Sequence, residues 1–258
     1  MDMRIDAHLH GDFSKLKGSP ADYVEKCRRR GIERGLLIGE PKMTLEAYRA
    51  MPDFIIAVPR LDIDKTTPKE IGEVLDAGAR GIKFIDPQFS YGDTRYDPLY
   101  QAISDKGKVV MFHTGYLARR NEPRRPTDIT LMRPAAVDCM SRRHPHLKIL
   151  MAHFGNPWWE EAWKILWSVP TCYAELSGGT AYKRSISMWA ETFAPNGVLD
   201  GESFGKLLFA TDMSLFREKE GFEPYFEFYD KLFDAVKAPP EMQARVNRGN
   251  ALKLFALQ

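Results

Sequence analysis

Short apolar runs alternate with longer stretches of helical spacing along the whole chain. Eight of the runs read as strands: Met3 to His8, Arg34 to Ile38, Phe54 to Pro59, Ala79 to Ile85, Lys108 to His113, Lys148 to His153, Thr171 to Leu176 and Lys206 to Thr211. Most are apolar at consecutive positions, as strands covered on both faces of a parallel sheet must be. The stretches between them carry helix punctuation. Ser19-Pro20 sets a capping hydroxyl before a proline in the first turn, and Gly31 supplies a left-handed stop. Thr67-Pro68-Lys69-Glu70 has capping-box spacing, with Ile71, Val74 and Leu75 on one face and Gly78 at the end. Pro134 to Arg143, Pro157 to Trp167, Ser185 to Phe193 and Phe222 to Val236 supply later helices. Eight strand and helix units in 258 residues predict an α/β chain, a (β/α)8 TIM barrel formed as one domain over residues 1–258. An open doubly wound sheet would want a glycine-rich phosphate loop after the first strand, and His8-Leu9-His10-Gly11-Asp12 is not one.

Composition narrows the class without choosing a function. The chain carries 37 Lys and Arg against 35 Asp and Glu, a formal charge of +2, which argues against a partner held by phosphate neutralisation. With 44% apolar and 12% aromatic residues it has ample material for a core, so disorder is excluded. Apolar runs such as Val109 to Phe112 fall far short of the roughly 20 residues a membrane helix needs, and the first residues show no secretory pattern. Cys27, Cys139 and Cys172 are odd in number and widely spaced, and read as buried thiols of a cytoplasmic protein. A small-molecule substrate is the expected partner.

The C-terminal ends of barrel strands converge on one mouth. Strand one ends Asp6-Ala7-His8-Leu9-His10, strand five ends at His113, strand six at His153, and strand eight is followed by Asp212. Four of the six histidines therefore gather at one place. Side chains two apart on a strand share a face, so His8 and His10 can enter the barrel together. With His113 and Asp212 they make an N3O set suited to one divalent ion, Zn2+ first, with Mn2+, Fe2+ or Co2+ as alternatives.

At these residues the chain resembles the amidohydrolase superfamily, and more narrowly the amidohydrolase-related family that includes aminocarboxymuconate-semialdehyde decarboxylase. The resemblance rests on Asp6 to His10, Gly81-Ile82-Lys83-Phe84, Phe112-His113-Thr114-Gly115, Ala152-His153-Phe154-Gly155, Ala174 to Gly178, Ala210-Thr211-Asp212 and Gly249 to Phe255, and spans the whole chain. It implies a distorted barrel holding one divalent metal, usually zinc, with no second ion expected. His8, His10 and His113 would be ligands, Asp212 a ligand and proton acceptor, and His153 a catalytic residue. Metal-activated water would hydrolyse an amide, ester or lactone of a small carboxylated or cyclic substrate. Zinc-dependent non-oxidative decarboxylation is the alternative. A non-catalytic binding barrel is a third reading, disfavoured because all five residues are present.

Other residues enter with two readings each. Lys83 is a barrel or substrate-anion contact, as in many mononuclear relatives, or a carboxylated bridge between two metals, as in some binuclear ones. Arg119, Arg120, Arg124 and Arg125 lie in the long loop from Thr114 to about Arg133, as solvated surface or as a clamp for a substrate carboxylate beneath a lid. Glu175 and Ser177 either reach the cavity or pack the barrel. Trp158, Trp159, Trp163 and Trp167 dress the helix after strand six, where an exposed indole would suit a homodimer. His144 and His146 belong to the opposite end. Met43 to Pro52 and Met213 to Gly221 read as loops able to face substrate.

Overall fold

The computed structural model describes residues 3–117, 128–178, 182–216 and 221–257. Arg119, Arg120, Arg124 and Arg125 lie outside the described residues. The apolar runs form β1 (Arg4–Gly11), β2 (Ile32–Gly39), β3 (Ile55–Pro59), β4 (Gly81–Phe84), β5 (Val109–His113), β6 (Lys148–Ala152), β7 (Cys172–Glu175), β8 (Leu207–Leu208) and β9 (Met213–Leu215). Every pairing is parallel, in two arcs ordered β3-β2-β1-β9 and β4-β5-β6-β7-β8. Backbone contacts close both seams. Arg60 bridges Lys83 and Leu61 N donates to Lys83 O at 3.1 Å, while Ala7 N donates to Phe209 O at 2.9 Å. The result is the α/β (β/α)8 TIM barrel that the strand arithmetic predicts, distorted at its last strand.

That distortion corrects the prediction of one eighth strand over Lys206 to Thr211. Only Leu207–Leu208 continues the ladder beside β7; the chain then turns at Asp212, φ 62°, and β9 pairs with Leu9 to Gly11 of β1. A residue with left-handed φ cannot extend a strand, and aspartate is among those that tolerate it. Three residues of the expected Met213 to Gly221 loop are therefore strand, and 217–220 lie outside the described residues. The expected Met43 to Pro52 loop is instead mostly the helix Pro41–Ala50, which buries Thr44, Leu45 and Ala47. The other strands keep their predicted places with ends moved by one to three residues, and β1 runs on to Gly11.

Local signals behave as their chemistry requires. Ser19 Oγ accepts from Asp22 N, and Thr67 and Glu70 close a reciprocal capping box ahead of buried Ile71 and Leu75. Gly31 and Gly78 end their helices at φ 86° and 113°. The helix expected from Pro157 begins at Trp159. Cys27 and Cys172 are buried thiols, but Cys139 is exposed, because it falls off the buried stripe Ala136, Val137, Met140 of its helix. No helix among the described residues is long and apolar enough to cross a membrane.

Ile5, Ala7, Ile38, Val109, Met111 and Leu150 belong to the apolar cluster inside the barrel, and Leu254 and Phe255 of the C-terminal helix join it from below. Asn250 secures that plug, its side-chain amide donating to Gly205 O at 2.9 Å and Leu207 O at 2.7 Å. Asn250→Ala strands two buried carbonyls, each costing about 1–3 kcal/mol when unpaired. A lower urea midpoint with unchanged slope is the expected result.

Candidate metal centre

The first strand positions its histidines through a bulge. Asp6 pairs with Gly35 but Leu9 pairs with Leu37, so β1 spends three steps where β2 spends two. Alternation therefore breaks after Ala7: Ile5 and Ala7 face the interior cluster, Leu9 packs in the outer core, and His8 and His10 turn to the mouth. Asp6 holds the bulge. Its Oδ1 accepts from His8 N at 3.0 Å and Thr211 N at 3.1 Å, and its Oδ2 from Thr211 Oγ1 at 2.7 Å, tying β1 to the segment between β8 and β9.

His8 Nδ1 lies 2.6 Å from Glu175 Oε1, and His10 Nδ1 lies 3.2 Å from the carbonyl of Ile38. Both partners accept, so in the neutral rings each Nδ1 carries the proton and each Nε2 presents a lone pair. Those two Nε2 atoms are 3.2 Å apart, and Asp212 Oδ1 is 3.4 Å from the first and 3.0 Å from the second. Donor atoms sharing one ion at about 2.0–2.2 Å stand about 2.8 to 3.6 Å apart, from right-angle to tetrahedral arrangements. The triangle fits that spacing, and three lone pairs facing one another this closely call for a cation among them.

The electrostatics agree. Burial lowers His8 and His153 well below the usual imidazole range, and His113 to about 3, which keeps all three in the neutral, ligating form. Burial would raise the Asp212 carboxyl, but His8, His10 and Lys83 outweigh it and hold the group at about 2. Asp212 is a carboxylate throughout the physiological range.

His153 completes a second, overlapping donor group with His8 and Asp212, their ligand atoms within 4.8 Å of one another. Its ring centroid lies 4.8 Å from that of His8 and 4.6 Å from that of His113, and Ser177 holds its Nδ1, with Oγ at 3.0 Å and the carbonyl at 3.4 Å. His113 stands at the far side of His153, its Nε2 3.2 Å from the Tyr116 carbonyl. His153 and Asp212 both adopt left-handed φ, 63° and 62°, where nonglycine residues are strained and where functional sites concentrate. Gly178, also left-handed, leaves room for both: a Cβ there would stand 3.2 Å from His153 Nδ1 and 3.4 Å from Asp212 Oδ2.

Glu175 is the residue whose two readings the structure separates. It is fully buried, and besides His8 it receives His153 N at 3.2 Å on Oε1 and Ser177 N at 2.6 Å on Oε2. It reaches the cavity and orients two of its histidines. Asp6 was visible only as part of the strand-one motif, and the Ile38 carbonyl carried no signal beyond lying near the end of β2. His144 pairs with Asp97 at 3.0 Å and His146 is exposed, both away from the centre. Of the tryptophans, Trp159 packs on Trp189, Trp163 donates to Asp200 at 2.7 Å, and Trp167 is exposed.

With fold and site in view, the comparisons identify the class. A family model for amidohydrolases matches residues 38–257, and the chain belongs to that family. No match was found among curated proteins. Solved structures share the fold: an uncharacterised TIM-barrel protein of Bordetella bronchiseptica has TM-score 0.69 at 19% identity over 98% of both chains. A structure from Pseudomonas putida assigned to a 2-pyrone-4,6-dicarboxylic acid hydrolase has TM-score 0.65 at 17% identity, covering 99% of this chain and 98% of that one. The dihydroxybenzoic acid decarboxylase of Polaromonas sp. JS666, solved with bound manganese and 2-nitroresorcinol, has TM-score 0.68 at 13% identity, covering 99% and 97%. At these identities the likeness is one of fold.

Proposed function

We propose that this chain is a metal-dependent hydrolase of small carboxylated or cyclic compounds carrying an amide, ester or lactone. The observation that carries the reading is the triangle of His8 Nε2, His10 Nε2 and Asp212 Oδ1 at 3.0–3.4 Å, with both histidine tautomers set to face inward. His8, His10 and Asp212 would hold one divalent ion, most simply Zn2+, with His113 and His153 as the further imidazoles within the same cluster. Such an ion supplies a Lewis acid and lowers the pKa of a water molecule from about 15.7 to about 7. Asp212, ionised at neutral pH and partly exposed, takes a proton at its carboxylate and returns it to the leaving group. His153 keeps a neutral ring; with the Ser177 hydroxyl donating to its Nδ1 at 3.0 Å the proton stands on Nε2, from which it would donate to a substrate carbonyl.

Decarboxylation is the second reading, favoured by the manganese-holding decarboxylase that shares this fold. One experiment separates them. Protein purified without added metal should contain about one equivalent of a divalent ion by mass spectrometry; chelation should abolish turnover, and Zn2+ or Mn2+ should restore it. Hydrolysis of lactones or amides without release of carbon dioxide supports the first reading. Carbon dioxide released from aromatic or muconate-like acids, with no hydrolysis, replaces it with the second, and a chain that neither contains nor takes up metal ends both.

A further inference from the structure

Ser177 touches two histidines of the centre with one hydroxyl. It follows β7 and is 3% exposed. Its Oγ lies 3.0 Å from His153 Nδ1 and 3.2 Å from His8 Nδ1. Toward His8 the oxygen meets an N–H, because Glu175 holds the proton on that nitrogen at 2.6 Å, so there the hydroxyl can only accept. Its own proton is left for His153 Nδ1, since the other acceptor in reach, the Glu175 carboxylate, already receives three N–H groups. A hydroxyl that accepts on one side and donates on the other ties both rings to one proton arrangement.

Metal count follows from that arrangement. A neutral imidazole ligates only through the nitrogen that lacks the proton. With the hydroxyl donating to Nδ1, the His153 proton stands on Nε2 and the ring has no lone pair left for an ion. His8, His153 and Asp212 are then a ligand set in spacing alone. Removing the hydroxyl reverses this with no change in total protonation. The partner that remains at Nδ1 among the described residues is the Ser177 carbonyl at 3.4 Å, which only accepts, so the proton moves to Nδ1 and Nε2 gains the lone pair.

We infer that Ser177 is a positioning residue whose hydroxyl holds His153 as a hydrogen-bond donor, keeps it out of the coordination sphere and so limits the centre to one ion. The proposed reaction centre gives that role its meaning, yet the tautomer is read with or without metal. Long-range proton–nitrogen NMR on histidine-labelled protein reports it, the His153 signals being those lost in His153→Gln. Wild type, both metal-free and loaded with Zn2+, should show His153 protonated at Nε2. Ser177→Ala should shift the tautomer ratio toward Nδ1 by about tenfold or more, the worth of one hydrogen bond exchanged for two facing lone pairs. Titration of that variant with Zn2+ should then reach about two equivalents per chain, against about one for wild type. Ser177→Thr, which keeps a hydroxyl, should hold the wild-type pattern in both measurements. A serine that only packs would change stability and move neither readout. A wild-type His153 protonated at Nδ1 would overturn the inference whether or not the variants fold, and so would a tautomer ratio or a metal count unchanged in Ser177→Ala. A chain that takes up no metal while the tautomer still follows Ser177 supports the positioning role and counts against the reaction centre alone.

Discussion

The double substitution His8→Ala, His10→Ala is expected to leave the protein folded, with less than about a tenth of an equivalent of metal and with turnover lowered by roughly 10^3-fold or more. The first part follows from geometry: the variant removes two of the three donor atoms that stand 3.0–3.4 Å apart and leaves only the Asp212 carboxylate. The second follows from chemistry, because a Lewis acid is worth several kcal/mol of transition-state stabilisation and each 1.4 kcal/mol or so is tenfold in rate. Folding should survive, since His10 is partly exposed and His8 meets protein mainly through Glu175 and Ser177. Metal content, circular dichroism and turnover measured on one preparation check all three statements. His144→Ala, remote from the centre beside Asp97, should change neither metal content nor rate. A double variant that keeps its metal would show that the ligands lie elsewhere.

Replacing Glu175 is the second large effect. Its carboxylate accepts three N–H groups, from His8 Nδ1, His153 N and Ser177 N, in a fully buried place. Glu175→Gln keeps one acceptor oxygen but sets an amide donor against at least one of those N–H groups. Metal affinity should fall about 10- to 100-fold, the usual loss when the partner of a ligating histidine is removed. Stability should drop by about 1–3 kcal/mol for the donor left unpaired. Glu175→Ala should cost more stability, because all three donors lose their acceptor and a cavity opens. Competition with a chelating dye reads the affinity, and urea unfolding of the metal-free protein reads the stability. Unchanged affinity in Glu175→Gln would mean that His8 is oriented by something other than this carboxylate.

Much of this site was legible along the chain because strand ends carry it. In a barrel the C-terminal end of every strand opens on one mouth, so His8, His10, His113, His153 and Asp212 could be brought together by counting strands. What the chain could not show was the bulge between Asp6 and Leu9. Simple alternation would set Ala7 and Leu9 on one face, yet they enter different clusters. Nor could it show that Asp212 breaks its strand, because left-handed φ at an aspartate leaves no mark in an apolar pattern. Glu175 was visible only as a polar residue ending a strand, equally suited to packing or to the cavity.

By itself the sequence determined the parallel β/α alternation, the helix caps and the set of titratable groups able to meet at one end. Those properties are local: they follow from periodicity, from capping hydroxyls and from the fixed direction of parallel strands. Only the tertiary structure decided which nitrogens of His8 and His10 face the centre, which carboxylate holds His8 and that Lys83 Nζ makes no hydrogen bond among the described residues. Each of those depends on contacts between residues far apart in the chain, as Glu175 is from His8, and on burial, which alone makes an unshared lone pair costly enough to require a ligand.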